Sequence, residues 1–228
     1  MRHYGDITKI NGAEIPAVDC ITFGSPCQDI SVAGKRKGML HEGNGDEETT
    51  RSGLFFEAIR VIKEMREHDR STGRTDEYIR PRFAVYENVP GAFSSNGGRD
   101  FQAVLTEIVR IAKPDAPDVP LPDKGRWDKS GCIMGYGEDG CPFSIAWRVH
   151  DAQFWGTTQY VDGRMLFCGT PQRRKRISLV ADFGGMCAPE VLLERKGLHG
   201  HSFKSGTEKQ GTAGDTEDGT GETGWDNE

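Results

Sequence analysis

VDCITFGSP, residues 18–26, joins a short run of β-forming residues to a Gly-Ser-Pro turn, the pattern of a strand that ends abruptly. Apolar residues at helical spacing follow in residues 54–66. A second strand is predicted at residues 83–86, and a second helix at residues 101–112. Two further strands are predicted, at residues 144–149 and 177–181. Strands that alternate with helices in this way predict an α/β fold with a parallel sheet.

The carboxyl ends of the first two predicted strands carry polar residues. Pro26-Cys27 follows the first strand, and Glu87-Asn88 follows the second. In parallel α/β sheets the functional groups gather beyond the carboxyl ends of the strands. We therefore expect these two pairs of residues to share one crevice.

One domain is predicted to span residues 1–200, a length that is sufficient for a sizeable core. Within it, residues 113–140 are rich in proline and glycine and poor in apolar residues, which is typical of an irregular insertion. Residues 201–228 are rich in Gly, Thr and acidic residues. Such a segment cannot offset its chain entropy by burial, so we expect a disordered acidic tail.

The composition argues against several classes of protein. The chain has no run of eighteen apolar residues and no apolar signal core at its N-terminus, so we expect no membrane contact and a cytoplasmic location. The six cysteines form no C-x-x-C pair, which argues against a zinc ribbon or a thioredoxin-type redox motif. We predict no metal site. Without further context, each cysteine is expected to be a small buried hydrophobe.

Charge is distributed unevenly along the chain. The net charge is −6, but residues 201–228 hold seven acidic residues against two lysines. The rest of the chain is therefore nearly neutral, and it carries two basic clusters, at residues 34–38 and 172–176. A nearly neutral body with two cationic loops can still bind a polyanion.

Cys27 is the first candidate for a chemical role. It follows a proline in a turn that leaves a predicted strand, a position that exposes a thiol near helix N-terminal amides. Such surroundings favour the nucleophilic thiolate. On the pentapeptide around Cys27 alone, a partly buried structural cysteine is the favoured alternative.

Two further segments bear chemically useful groups. Glu87 stands beside an apolar strand, where desolvation could keep a carboxyl protonated, although a cap or an ion pair is the simpler interpretation. Arg174 and Arg176 alternate just before the strand at residues 177–181, so their side chains are expected to point to the same side. The planar guanidinium of arginine is well suited to rigid polar recognition, although most charge runs are merely solvated.

Taken together and in this order, these segments resemble the DNA cytosine-5 methyltransferase family. The resemblance rests on Ser-Pro-Cys-Gln at residues 25–28, Glu-Asn-Val at residues 87–89 and Gln-x-Arg-x-Arg at residues 172–176. It extends from Gly5-Asp6-Ile7 to Phe183 and includes Ser-Gly-Leu-Phe at residues 52–55. The family implies an α/β fold, an incomplete S-adenosylmethionine-dependent, Rossmann-like sheet with helices on both faces.

The resemblance implies that the chain methylates DNA, as the methyltransferases of restriction-modification systems do. It also implies a mechanism. Cys27 would add to C6 of a flipped-out cytosine, so that C5 can take the methyl group of S-adenosylmethionine. Glu87 would hydrogen-bond to the N3 and amino edge of the base. Arg176 would contact the base carbonyl oxygen and steady Glu87, and Arg174 would lie near the nucleophile and a phosphate.

The resemblance also implies contacts with double-stranded DNA and with the cofactor. Residues 28–38 are similar to the mobile loop that closes over DNA, with sequence-independent contacts to phosphates. Asp6 would bind the adenine amino group of S-adenosylmethionine, and Pro26 and Leu54 would line its pocket. The residues expected to contact DNA or substrate are Gln28, Ser31, Lys35, Arg36, Lys37, Asn88 and Gln172.

Parts of the family pattern have no counterpart. The opening strand with its F-x-G-x-G turn, the target recognition domain and the last helix motif are not found, and residues 158–169 look inserted. We therefore expect weak cofactor binding and little activity by this polypeptide alone. It would be a fragment or one part of a split enzyme, with a second polypeptide supplying the rest.

Three other functions compete with DNA methylation. A catalytically silent fragment or DNA-binding module would explain the missing parts, but the complete set of motif residues argues against it. A transfer-RNA cytosine-5 methyltransferase would share the same catalytic residues. A cysteine-dependent redox or hydrolytic enzyme would need a histidine partner, and His41, His68 and His150 have no recognisable triad context.

Overall fold

Seven strands and three α-helices make up the part of the chain that the computed structural model describes, which is residues 2–25, 53–154, 156–169 and 172–193. The helices are α1 (Gly53–Ser71), α2 (Arg99–Ala112) and α3 (Ala188–Leu192). The strands are β1 (Cys20–Gly24), β2 (Phe83–Asn88), β3 (Ser130–Tyr136), β4 (Pro142–Asp151), β5 (Gly156–Val161), β6 (Arg164–Gly169) and β7 (Lys175–Asp182).

The main sheet is mixed, whereas we predicted a parallel sheet. Its strand order is β1-β2-β7-β4-β3, and only β1 and β2 are parallel neighbours. The other three pairs, β2 with β7, β7 with β4 and β4 with β3, are antiparallel. Parallel neighbours need a crossover such as the helix α1, whereas β3 and β4 are joined by a short turn and β4 reaches β7 through a hairpin, without a helical crossover. The α/β prediction is confirmed, and its parallel sheet is wrong.

Helices cover both faces of the main sheet, as predicted. On one face α1 and α2 bury a large apolar core that includes Phe55, Ile62, Phe101 and Leu105. On the opposite face the short helix α3 places Ala188 against Ala146 of β4 and Val180 of β7, with Val85 packed beside them. The larger core therefore lies on the α1 and α2 side, and the α3 side is covered by one short helix.

Strand alternation sends the polar residues to the α3 side. Tyr86 and Leu179 belong to the core under α1 and α2, so their neighbours Glu87 and Ser178 point the other way. The sheet register aligns Glu87 with Gly24 on one side and with Ser178 on the other. The predicted strand at residues 83–86 thus continues to Asn88, and Glu87 belongs to its carboxyl end.

The predicted irregular insertion contains a regular strand. Residues 113–129 form no α-helix or strand, but β3 pairs along its whole length with β4 at the edge of the sheet. Gly131 and Gly135 look like loop residues in the sequence, yet each faces an aromatic side chain of β4. A methyl group on Gly131 would lie 2.2 Å from the Trp147 ring. Glycine is therefore needed there to accommodate the tryptophan.

A separate β-hairpin connects β4 to β7. Strands β5 and β6 pair from Gly156 with Gly169 to Val161 with Arg164, and Asp162-Gly163 forms the turn with φ values of 49° and 73°. Two residues with positive φ are characteristic of the tight turns that join hairpin strands. The sequence predicted an insertion at residues 158–169, and the structure assigns a two-stranded ribbon to this region.

A buried carboxylate ties β7 to the start of β2. The Arg82 side chain donates to both oxygens of Asp182, at 2.8 and 3.2 Å, and Gly184 N–H also donates to this carboxylate. Burial works against the charge on Asp182, but these hydrogen bonds prevail and hold its pKa below the ordinary value of 3.8. Burial and the same carboxylate raise the pKa of Cys187 to about 11, so this thiol acts as a hydrogen-bond donor, with Sγ 2.9 Å from Asp182.

Several predictions fall on residues outside the described ranges. The proposed DNA-closing loop at residues 28–38 and the acidic tail at residues 201–228 stay predictions. Among the described residues, Cys20 and Cys132 are exposed, so the expectation of buried cysteines is wrong for these two. None of the described helices has the length and apolar character that crossing a membrane requires.

Candidate active site

Glu87 and Arg176 form an ion pair where the ends of two neighbouring strands meet. Arg176 Nε lies 2.6 Å from Glu87 Oε1. The pair follows from the antiparallel register, because Glu87 is aligned with Ser178, and Arg176 is two residues away on the same face of β7. Two of the three side chains that we expected to surround a pyrimidine are therefore in direct contact.

The surroundings of Glu87 differ from the desolvated site that we considered as one alternative. Its side chain is 51% exposed, and that of Arg176 is 30% exposed. The carboxylate therefore faces solvent and a guanidinium, not an apolar wall. The ion pair, which was our simpler alternative for Glu87, is what the structure contains.

A cavity of about 410 Å³ opens beside this pair. It is lined by His150, Ala152, Arg174, Arg176 and Ser178. Arg174 and Arg176 thus point to the same side, as the sequence predicted. Binding sites for small organic groups have volumes of this order. The cavity can therefore take a group the size of a flipped nucleotide, facing two guanidinium groups.

His150 and Ser178 were missed by the sequence analysis. Their positions follow from the alternation of side chains along the strands. Ser178 lies two residues after Arg176 on the same face of β7, and His150 of β4 is aligned with Arg176. This alignment becomes readable only when the two strands are known to be antiparallel neighbours, and the sequence indicated a parallel sheet instead.

A small polar cluster joins the carboxyl ends of β1 and β2. Ser25 Oγ lies 3.1 Å from the Tyr86 hydroxyl, and Asn88 Nδ2 contacts both that hydroxyl and Ser25 Oγ. Asn88 is 3% exposed, and its Oδ1 accepts the Val89 N–H at 2.7 Å. The position of Asn88 does not support the DNA contact we predicted for it. Its buried amide instead links the two strand ends.

Glycine at position 24 lets Glu87 approach β1. A methyl group at Gly24 would lie 3.1 Å from the Glu87 carbonyl oxygen and 3.5 Å from its Oε2. The Glu87 carboxylate therefore overlies the last residue of β1, directly before the Ser-Pro-Cys segment. This contact accounts for glycine at the point where the first strand ends.

Asp151 was also missed, and it joins β4 to β7 at the rim of the cavity. Its side chain is almost buried, with Oδ1 accepting the backbone N–H groups of Arg174 at 3.1 Å and of Gln153 at 3.3 Å. Oδ2 accepts from the Gln153 side chain at 3.1 Å. In addition, the Ala152 N–H donates to the Arg174 carbonyl oxygen at 3.0 Å.

Two of the three predicted cofactor residues are described: Leu54 lies on α1, and Asp6 lies on the segment packed against it. Asp6 accepts the Thr8 N–H at 3.0 Å, and this hydrogen bond lowers the pKa of the Asp6 carboxyl. The segment around Asp6 is held on α1 because Arg60 donates to the Ile7 and Ile10 carbonyl oxygens. Leu54 is half-buried in the first turn of the same helix.

The other predicted site residues divide into two groups. Gln172 is exposed beside the cavity-lining arginines. Outside the described residues lie Pro26, Cys27, Gln28, Ser31, Lys35, Arg36 and Lys37. Within the described ranges, no group of three or more His, Cys, Asp or Glu side chains is arranged to hold a metal ion.

Comparison with known proteins shows similarity to DNA methyltransferases. Residues 2–111 match the sequence model of the C-5 cytosine-specific DNA methylases. The chain is 31% identical over 177 residues to the type II methyltransferase M.BsuFI of Bacillus subtilis, which covers 78% of this chain and 27% of that protein. It is 38% identical over 179 residues to the type II methyltransferase M.NgoBV of Neisseria gonorrhoeae, covering 77% and 28%.

A further relative carries a different name. The chain is 30% identical over 213 residues to the DNA N-6-adenine-methyltransferase of Escherichia phage P1, covering 85% of this chain and 24% of that protein. The chain thus spans about a quarter of the length of these three relatives. Residues 2–111 therefore match the C-5 cytosine-specific DNA methylase family, and the similarity to two type II methyltransferases extends over more than three quarters of the chain.

Proposed function

We propose that this chain carries the catalytic residues of a DNA cytosine-5 methyltransferase, with Cys27 as its nucleophile. The observation that carries the proposal is the ion pair between Glu87 and Arg176 at the edge of the cavity. Acting as a pair, a carboxylate and a guanidinium can address the polar edge of one pyrimidine ring. Cytosine presents N3 and an amino group next to a carbonyl oxygen on that edge.

The position of Ser25 supports the role of Cys27. Ser25 lies beside the end of β2, within 3.1 Å of the Tyr86 hydroxyl. Cys27 follows Ser25 by two residues, and two residues span at most about 7 Å. In the proposed reaction, the Cys27 thiol acts at the strand end where Glu87 lies.

Each side chain has a defined task in the proposed reaction. The Cys27 thiolate forms a bond to C6 of the cytosine, and the electron density that this addition brings to the ring makes C5 nucleophilic. Glu87 accepts a hydrogen bond from the cytosine amino group, and it supplies or shares a proton at N3 as negative charge develops there during the addition. Arg176 contacts the carbonyl oxygen and holds Glu87 in place. Once C5 has accepted the methyl group, its proton passes to a base in the surrounding solvent. The electrons of that C–H bond re-form the C5–C6 double bond as the bond between C6 and Cys27 breaks.

The base must leave the DNA helix before this chemistry can begin. C6 of a stacked cytosine is out of reach of a side chain, so the nucleotide has to rotate into the cavity. Double-stranded DNA is therefore the proposed partner, held by the basic residues at positions 35–37 and by Gln172 and Arg174. The buried Asn88 aligns the strand ends instead of contacting DNA.

S-adenosylmethionine, when bound, supplies the methyl group. The chemistry of Asp6 fits this cofactor, because an exposed carboxylate can accept a hydrogen bond from an adenine amino group. Pro26 and half-buried Leu54 would add apolar contacts. We expect weak binding by this chain alone, with a second polypeptide supplying further contacts. Titration calorimetry with S-adenosylmethionine tests this expectation, and micromolar binding by the isolated chain would contradict it.

Trapping of a covalent adduct tests the proposed reaction. Duplex DNA that contains 5-fluorocytosine in randomised flanks is incubated for a long time with the chain and a large excess of S-adenosylmethionine, because a weakly binding, slow enzyme still accumulates a covalent adduct under these conditions. Fluorine at C5 cannot leave as a proton would, so the enzyme is expected to remain bound to DNA through Cys27. Mass spectrometry of the linked peptide identifies the residue, and Cys27→Ser should give no adduct. Absence of any adduct with the wild-type chain contradicts the proposal.

Adenine methylation is a second candidate, because the phage P1 relative, which covers 85% of this chain, is named an N-6-adenine methyltransferase. Transfer to an exocyclic amine needs no covalent bond to the enzyme. Nucleoside analysis of the product separates the two reactions. Formation of 6-methyladenine that survives Cys27→Ser would favour the adenine reaction, whereas adducts with RNA alone would favour the transfer-RNA alternative.

A further inference from the structure

Asp151 lies at the junction where the hairpin leaves and re-enters the main sheet. It is the last residue of β4, and its register partner Lys175 is the first residue of β7. Between these two positions the chain makes the complete β5–β6 ribbon. Contacts at this junction add to the pairing of β4 with β7. They would keep movements of the ribbon from shifting the arginines that line the cavity.

The contacts of Asp151 fix this junction. Its Oδ1 accepts the Arg174 N–H, a hydrogen bond that joins residues 23 positions apart in the chain. The Ala152 N–H donates to the Arg174 carbonyl oxygen in return, so both backbone polar groups of Arg174 are held by residues at the end of β4. The carboxylate is buried, and the low local dielectric strengthens such hydrogen bonds.

We propose that Asp151 is a positioning residue for the methyl transfer, acting through the backbone of Arg174. It does not line the cavity itself, whereas Ala152 on one side of the junction and Arg174 on the other both do. Fixing the Arg174 backbone limits where its guanidinium can reach in the cavity. This inference rests on the proposed function, because positioning matters only if the cavity receives the reacting base.

A pair of substitutions separates positioning from charge. Asp151→Asn keeps an oxygen that can accept the Arg174 N–H, and the Gln153 amide can rotate to present its own oxygen to the new NH₂ group. Asp151→Ala removes the acceptor entirely. Rates of covalent adduct formation on 5-fluorocytosine duplex DNA are expected to stay near the wild-type value for Asp151→Asn. For Asp151→Ala they should fall by about 10- to 100-fold, the range that follows from a displacement of about 1 Å.

Combination with Arg174→Ala identifies the route of the effect. If Asp151 acts through Arg174, the double variant Asp151→Ala/Arg174→Ala should be no slower than Arg174→Ala alone. Asp69→Ala is the matched control, because Asp69 is another buried carboxylate that accepts a backbone N–H, from Arg80 ahead of β2. Its loss is expected to lower the melting temperature but leave the adduct rate of the folded protein unchanged.

The outcomes are distinguishable. No adduct with the wild-type chain overturns the proposed function, and the positioning role falls with it. An adduct with the wild-type chain and an equal rate for folded Asp151→Ala overturns the positioning role alone. Losses that multiply in the double variant also overturn it, because Asp151 would then act independently of Arg174.

Discussion

At the scale of single residues, Arg176 has a proposed role in the chemistry and is expected to contribute little to stability. Its ion pair with Glu87 is short, but both side chains are partly exposed. Ion pairs in such positions contribute less than about 1 kcal/mol to the free energy of unfolding, because solvent screens them. The same contact fixes the orientation of the carboxylate, on which the proposed reaction depends.

We predict that Arg176→Gln lowers the rate of adduct formation by about 100-fold, as loss of a charge-stabilising donor commonly does. The melting temperature should change by no more than about 3 °C. Adduct kinetics and a thermal melt measure the two quantities. Lys63→Gln is the control, since it removes another exposed ion pair, with Glu107. A rate within about twofold of wild type for Arg176→Gln would contradict the role given to Arg176.

Asp182 is the residue at which stability should depend on acid. Its pKa is lower in the folded chain than the ordinary value of 3.8, so the stabilisation it provides is complete above about pH 4. That stabilisation is lost as the pH falls through the lower pKa of the folded state. Arg82 and the amide of Gly184 are the groups whose hydrogen bonds are then lost.

Substitution of Asp182 by Asn should therefore make the free energy of unfolding depend less on pH in acid. We expect the variant to be less stable at pH 7 by about 1–3 kcal/mol, because a neutral amide replaces the buried carboxylate that accepts from Arg82 and Gly184. Its free energy of unfolding should fall less steeply below pH 4 than that of the wild type. Urea denaturation at a series of pH values measures both effects. Parallel curves for the two proteins would show that another carboxylate dominates.

At the scale of elements, the sequence was informative where the pattern of a segment is local. The helical periods around Phe55 and Phe101 predicted α1 and α2, and the apolar runs predicted four strands of the main sheet. The direction of β7 was not predictable in the same way. It depends on whether the connection from β4 to β7 contains a crossover helix, and this connection is a hairpin instead. The ion pair of Glu87 and Arg176 depends on that direction, so the motifs suggested the partners but not their register.

Strand β3 was missed because its sequence carries two signals at once. Gly131 and Gly135 suggest a loop, but each leaves room for an aromatic ring from β4 across the ladder. Local propensity disfavours glycine in a strand, and cross-strand packing outweighs that preference here. Only the pairing with Trp147 and Phe143 explains why a glycine-rich segment is extended.

The same packing gives an element-scale prediction. Gly131→Ala would place a methyl group 2.2 Å from the Trp147 ring, so the ring or the edge strand must move. We expect a loss of about 1–3 kcal/mol in the free energy of unfolding, the usual cost of overpacking, measured by urea denaturation. Cys132→Ala is the control, because the neighbouring side chain is exposed and its replacement should cost less than about 0.5 kcal/mol. Equal stabilities would mean that β3 packs more loosely than described.

At the scale of the whole molecule, the negative net charge opposes the proposed binding of DNA, which is also negatively charged. A chain of net charge −6 is proposed to bind DNA, and residues 201–228 hold seven of its acidic residues and two of its lysines. Like-charged groups lower the affinity for a polyanion unless salt screens them. The tail is therefore expected to weaken DNA binding without being part of the folded domain.

Deletion of residues 201–228 tests this expectation. The shortened chain should melt at the same temperature as the full chain and should bind duplex DNA more tightly at low salt, as measured by fluorescence anisotropy. The difference should vanish at about 1 M salt, where the screening length is about 3 Å. A full-length variant with the seven acids changed to their amides separates charge from length. If deletion left the low-salt affinity unchanged, the tail charge would have no part in DNA binding.

The ribbon between β4 and β7 has a consequence for how such a protein can diversify. Its two ends meet at one closed junction, the mutual hydrogen bonds of Ala152 and Asp151 with Arg174, and its outer end is a simple two-residue turn. We expect that the β5–β6 ribbon beyond that junction can change in length or sequence without changing the positions of the Arg174 and Arg176 guanidinium groups. We therefore expect that new segments can be added to the ribbon, by evolution or by grafting, while the cavity lined by the two arginines keeps its shape.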